Sequence, residues 1–257
     1  MTRGAIVVVP ARNEAALIGA CLEALAAQDV PGGLAVILVL DACVDGTEAA
    51  ARSAAARNGR LELTLRQGPG RGVGAARRLG MDEACQRLLR RGHERGLIAT
   101  TDADSAVAPD WLRGQLAAVR SGAEAIGGAI ELRPVDAAAL PRRALELRRA
   151  RHRARLALVH RDDPAAEHCQ FSGASLSVTA RAYARVGGME PLPALEDEAF
   201  AARLRRHGIP IVRTRAVRVA TSGRLEGRTP AGLAHDLATS AAILPAPDGD
   251  AGIRAGA

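Results

Sequence analysis

The residues best suited to chemistry are Asp102 and Asp104, two carboxylates separated by Ala103. Hard oxygen ligands of this kind suit Mg2+ or Mn2+, ions that keep several waters and bridge to phosphate oxygens. Such an ion can neutralise a diphosphate as its bond to another group breaks. An isolated Asp-x-Asp is also an ordinary acidic turn, with Asp104 capping a helix. The place of the triplet in the fold therefore decides what it is worth.

Two further groups of residues point to a nucleotide. Val9-Pro10-Ala11-Arg12-Asn13-Glu14 pairs with Leu40-Asp41-Ala42-Cys43-Val44-Asp45-Gly46-Thr47. Asp41 can accept a hydrogen bond from a base N–H, and Asn13 and Glu14 can meet the ribose or the base edge. Capping is the structural alternative for Asn13 and Asp45, though not for Asp41, which ends an apolar run. The segment from Gly68 to Arg77 is glycine-rich but holds no lysine, so it is not a P-loop. Its glycines permit close backbone approach, and Arg71 or Arg77 can reach phosphate. A flexible loop before a helix is the alternative.

Elements must bring these residues together. Short β-branched and leucine-rich runs at 5–9, 35–40, 61–65, 97–101 and 125–132 predict strands. Between them, apolar residues at helical spacing predict helices over 14–27, 45–57, 74–91 and 109–120. Strands alternating with helices imply parallel βαβ units in an α/β doubly wound sheet, which binds ligands beyond the carboxyl ends of its strands. Pro10 to Glu14, Asp41 and Asp102 to Asp104 all fall at that edge. Beyond residue 136 the pattern predicts an arginine-rich helix over 137–160, a small-residue stretch at Phe171-Ser172-Gly173-Ala174-Ser175, helices over 180–186 and 196–207, and short strands over 209–213 and 216–220.

Composition narrows the partners. The 257 residues suffice for one large domain, and only 2% are aromatic, too few for a platform that stacks single-stranded nucleic acid. The formal net charge is +7, and every basic residue other than histidine is arginine, a composition expected of a high-GC bacterial genome. Arginine forks suit phosphates and carboxylates. The scattered cysteines Cys21, Cys43, Cys85 and Cys169 fit a reducing cytoplasm, and no leader or membrane-spanning run is read.

Taken in order, these motifs resemble the family 2 glycosyltransferases of the GT-A fold, over roughly residues 4 to 213. The matching positions are Val9 to Glu14, Asp41 to Thr47, Gly70 to Arg77, Asp102 to Asp104, Gly173-Ala174 and Glu196-Asp197. The resemblance implies a Rossmann-like, open, twisted and mostly parallel sheet, and transfer from a UDP- or GDP-sugar donor with Mg2+ or Mn2+. It implies that Pro10, Arg12, Asn13, Glu14, Asp41, Arg71, Arg77, Asp102, Ala103 and Asp104 hold the donor. Asp104 would bind the metal and Asp102 the nucleotide. Gly173, Ala174 and Glu196 would meet the acceptor, and Asp197 would be the base of an inverting reaction. Glu196 beside it would raise its pKa by repulsion. Acidic residues at a helix N-terminus are the alternative for this last pair.

Arg224 and Arg228 would clamp the diphosphate on a mobile segment. The arginine-rich helix would attract an anionic acceptor or the surface of a membrane. The sequence departs from the family where Arg78 stands in place of a common asparagine, and where a late Gln-x-x-Arg-Trp motif is missing, which argues against a processive polysaccharide synthase. A third metal ligand is not identified, with His207 and His235 as candidates. A nucleotidyltransferase and a degenerate nucleotide-binding scaffold are the alternatives. The expected organisation is a nucleotide-sugar-binding half (1–136), an acceptor-binding and catalytic half (137–228) and a partly disordered tail (229–257).

Overall fold

The computed structural model describes residues 4–224 and Leu237. Arg228 and His235, and all but Leu237 of the segment read as a tail, lie outside the described residues. The chain runs β1 (Ala5–Ala11), α1 (Ile18–Ala26), β2 (Leu34–Leu40), α2 (Thr47–Arg57), β3 (Leu61–Gln67), α3 (Val73–Arg90), β4 (Leu97–Thr100), β5 (Ser105–Val107) and α4 (Trp111–Arg120). It continues through β6 (Ala125–Leu132), α5 (Pro134–Ala139), α6 (Arg142–Val159), β7 (Leu176–Thr179), α7 (Ala180–Arg185), α8 (Glu196–Arg206) and β8 (Ile211–Thr221).

One sheet joins the eight strands in the order β3-β2-β1-β4-β7-β6-β8-β5. The first four strands are parallel, and β1, β2 and β4 are the unbroken apolar runs expected of strands buried on both faces, whereas the edge strand β3 alternates. Alternate residues of β1 feed opposite layers. Val7 and Val9 pack with Leu22, Leu25 and Trp111, whereas Ile6 and Val8 pack with Met81, Leu88 and Phe200. Helix α3 lies close to the sheet because position 80 is glycine; a Cβ there would overlap the Val8 side chain.

Four differences from the sequence-based expectation bear on the site. Strand β6 does not extend the parallel series, because β7 inserts between β4 and β6 and runs antiparallel to both. The two late strands are one strand, β8, whose pairing with β6 slips where Gly128 gives way to Ala129. The long helix breaks at Pro141, which holds Leu140 extended at ψ 146° and divides α5 from α6. Finally, β5 follows Asp104 directly and pairs antiparallel with the end of β8, Ser105 opposite Thr221. No described helix is long and apolar enough to cross a membrane, and all four cysteines are free.

Candidate active site

The strand order reverses at β1, which has β2 on one side and β4 on the other. This is the point at which open α/β sheets leave a crevice beyond their carboxyl ends. A cavity of about 840 Å3 opens there, within the usual range for a small-molecule site. Pro10, Arg12, Glu14, Asp41, Arg77, Asp102, Ala103, Asp104, Gly173, Ala174, Glu196, Asp197 and Arg224 all line it. Asn13 and Arg71 do not.

Asn13 sits in the left-handed region at φ 54°, and its Oδ1 accepts from the Val44 amide at 2.8 Å, so it ties the β1 loop to the β2 loop rather than capping α1. Asp45 precedes the N-cap of α2, which is Gly46, and its carboxylate accepts from the Thr47 amide (3.0 Å) and the Ala15 amide (3.1 Å), so it too ties the two loops together. Asp41 is buried; its carboxylate accepts from the backbone N–H groups of Gly70 (2.7 Å) and Gly72 (3.0 Å). Gly70 and Gly72 have φ of 69° and 98°, a geometry that favours glycine. The glycine-rich loop is therefore held against the end of β2, and Arg71 between them is exposed.

Arg77 has a different place from a phosphate contact. Only 2% of its side chain is exposed. Its guanidinium donates to Asp102 at 2.6 Å, to Thr100 at 3.3 Å, and to Glu196 in a short ion pair. Burial works against its charge, but Glu196, Asp102 and Asp197 outweigh that and hold the guanidinium protonated beyond its usual range. Burial raises the Asp102 carboxyl above its usual range, assisted by Asp104, Glu196 and Asp197 and opposed by Arg77. Glu196 therefore points to Arg77 as its counter-ion.

Asp197 opens α8 and remains in the cavity. Its Oδ1 accepts from the Glu198 amide at 2.8 Å, and its Oδ2 accepts from the Gly173 amide at 3.3 Å. The short 3-10 turn of Gly173–Ser175 is held in turn by the Trp111 indole, which donates to Ser175 Oγ at 3.0 Å. The preceding Gln170 side chain bonds both the N–H and the carbonyl of Ile130, mimicking a ladder strand.

Asp104 lines the same cavity immediately before β5, near the Ser105 and Thr221 hydroxyls (3.3 and 3.4 Å). Arg224 reaches over from the end of β8, pairing with Asp104 and with Glu14, each at 2.9 Å. The β5–β8 pairing that brings Arg224 here was invisible in sequence, since β5 has only three residues. Among the described residues no three His, Cys, Asp or Glu side chains could hold a metal ion alone. His207 is exposed at the far end of α8. An ion held by Asp104 would take its other oxygens from a phosphate ligand and water. Also missed were Arg205 and Arg213, which line the same cavity. The spacing Asp197, Ala201, Arg205 is one helical face and could have revealed the first of them.

The switch-point cavity, the paired carboxylates at the end of β4 and the sheet order together define a GT-A fold, and solved structures of that class share it. The family described as "Glycosyltransferase like family 2" matches residues 3–236, and the chain belongs to it. A mannosyltransferase from Pyrobaculum calidifontis, solved with GDP-Man and Mn2+, superposes with a TM-score of 0.62 at 22% identity, over 87% of this chain and 58% of that one. S. aureus TarS with UDP-GlcNAc gives 0.60 at 17% identity, over 88% and 60%. Glucosyl-3-phosphoglycerate synthase from Mycobacterium tuberculosis, with Mn2+, UDP and phosphoglyceric acid, gives 0.55 at 16%, over 86% and 72%. The chain spans about three fifths of the first two. No curated protein matches its sequence.

Proposed function

We propose that the chain transfers a sugar from a UDP- or GDP-sugar to an acceptor hydroxyl in one inverting displacement, with Asp197 as the general base. The observation that carries this reading is the position of Asp197. It stands in the same cavity as Asp102 and Asp104, with one oxygen steadied by the Gly173 amide. Family membership and neighbours solved with GDP-Man, UDP-GlcNAc and Mn2+ support the donor class.

Asp41 and the glycine-rich loop frame the nucleoside end, with Pro10, Arg12 and Glu14 beside them. Asp104 would hold Mg2+ or Mn2+, and the ion would supply charge neutralisation of the diphosphate. Asp197 takes the acceptor proton as the acceptor oxygen bonds to the anomeric carbon. The bond from that carbon to the diphosphate oxygen breaks, and its electron pair leaves with the nucleotide. A single base and no enzyme nucleophile means inversion. Arg224 exchanges its carboxylate partners for the diphosphate when the donor arrives. Arg77 acts by positioning, since it holds Asp102 and the start of α8 in one frame.

The test is release of UDP or GDP from a panel of nucleotide-sugars, with and without Mn2+. Metal-dependent release that is lost in Asp104→Ala supports the proposal. No binding or turnover of any donor, or an unaltered Asp104→Ala variant, overturns it.

A further inference from the structure

The carboxylates of the cavity share their end with Arg12, Arg77 and Arg224, whereas a second group of its lining residues is wholly basic. Arg148, His152 and Arg155 of α6, Arg205 of α8 and Arg213 of β8 form that group and line the other end. Arg148, His152 and Arg155 follow spacings of four and three, one stripe of the helix. The remaining arginines of α6 are not on the cavity wall, so the basic lining is more specific than a solvated basic helix.

Arg213 is the floor of this end. Only 9% of its side chain is exposed, and its Nε has no hydrogen-bond partner among the described residues. Its contacts are a long one to Asp163 at 3.6 Å and one to the Ile211 carbonyl at 3.4 Å. A buried guanidinium so weakly engaged is unusual, because buried donors are ordinarily satisfied and buried charges paired. Arg205 and Arg155 are exposed at the rim above it.

Resting on the transferase reading, we infer that this end is an anion subsite for the acceptor, which carries a phosphate or carboxylate besides its reacting hydroxyl. Arg213 anchors the anion and Arg155 and Arg205 close around it, a use for which guanidinium forks are suited. The distance is compatible with a single acceptor. Arg205 lies eight residues beyond Asp197, about 12 Å along the axis, and helical side chains lean toward the N-terminus, here toward the base. A phosphorylated or carboxylated compound a few carbons long spans base and cations.

Inorganic phosphate and glycerol 3-phosphate are titrated calorimetrically, with glycerol as the neutral control and UDP and GDP, each with Mn2+, as separate titrations. Both anions are expected to bind saturably, glycerol not at all, and Arg205→Gln, Arg155→Gln and Arg213→Gln each to weaken phosphate by about tenfold, a loss of about 1.4 kcal/mol, with nucleotide binding unchanged. Should Arg213→Gln fail to fold, the exposed Arg205 and Arg155 variants still decide. Phosphate binding that is absent, or equal in all the variants, overturns the subsite. UDP and GDP both failing to bind the unaltered protein overturns the transferase reading instead. Phosphatidylglycerol vesicles, against phosphatidylcholine ones, separate the sources: capture lost in the same variants assigns the anion to a lipid headgroup, and saturable phosphate binding without capture assigns it to a soluble acceptor.

Discussion

Gly173 lies directly over the guanidinium of Arg77, so that a Cβ at position 173 would overlap Arg77 Cζ and both its terminal nitrogens. The same glycine donates its N–H to Asp197. One small residue thus lets a buried cation pass beneath the site while its backbone steadies the proposed base. Gly173→Ala must displace either the ion-pair centre or the turn. Overpacking of this kind destabilises by about 1–3 kcal/mol, measurable by urea denaturation. Turnover is expected to fall further than stability, because the Asp197 contact moves with the turn.

Arg77 joins α3, the end of β4 and the start of α8 through Thr100, Asp102 and Glu196. Arg77→Met leaves two carboxylates facing one another without their counter-ion. Removing one partner of a buried ion network costs about 3–5 kcal/mol. Arg77→Lys retains the charge but not the fork, so chemical denaturation should place it between the two.

Asp197→Asn keeps an oxygen for one of the two amides, Gly173 and Glu198, that Asp197 accepts from, and the loss of a single hydrogen bond leaves the fold in place. It cannot accept the acceptor proton. Transfer is expected to drop by about 10²–10⁴, while binding of UDP and Mn2+ stays within error. Equal activity of the variant would remove Asp197 from the chemistry.

Arg224 spans Glu14 and Asp104. A cation on Asp104 opposes the arrival of a second cation. Binding of Mn2+ alone, followed by electron paramagnetic resonance, should tighten several-fold in Arg224→Gln. Nucleotide-sugar affinity should weaken in the same variant as its diphosphate contact is lost.

His168 is buried, donating from Nε2 to the Thr214 carbonyl and accepting at Nδ1 from the Gln170 amide. Burial lowers its pKa, with Arg215 and Arg213 adding to the effect against the Thr214 contact. The folded state therefore binds the proton less well than the unfolded one. The stability contributed by His168 is full above about pH 6.5, the usual histidine value, and is lost as the pH falls below it toward the folded pKa. The difference in unfolding free energy between the wild type and His168→Asn should accordingly shrink as the pH drops from about 7.5 to about 5.

The parallel core was legible from sequence because β1 and β2 are unbroken apolar runs, and the helices between them repeat at a spacing that only an α-helix satisfies. Glu14, Asp41, Asp102 and Asp104 could be placed at one edge of the sheet because strand ends are local features, whereas Asp197 was reached only through the family resemblance. Partnership was not local. Arg77 looked like a phosphate ligand until burial put it between Asp102 and Glu196, 25 and 119 residues away. Arg224 meets Asp104 only because a three-residue strand pairs with β8. Arg213 shares a cavity with Asp197 only because β8 and α8 pack at the same mouth. Periodicity and turn chemistry act over a few residues, and the sequence determines them directly. Which charge answers which is decided by packing across the sheet, where burial makes an unanswered charge costly and so selects the pairs.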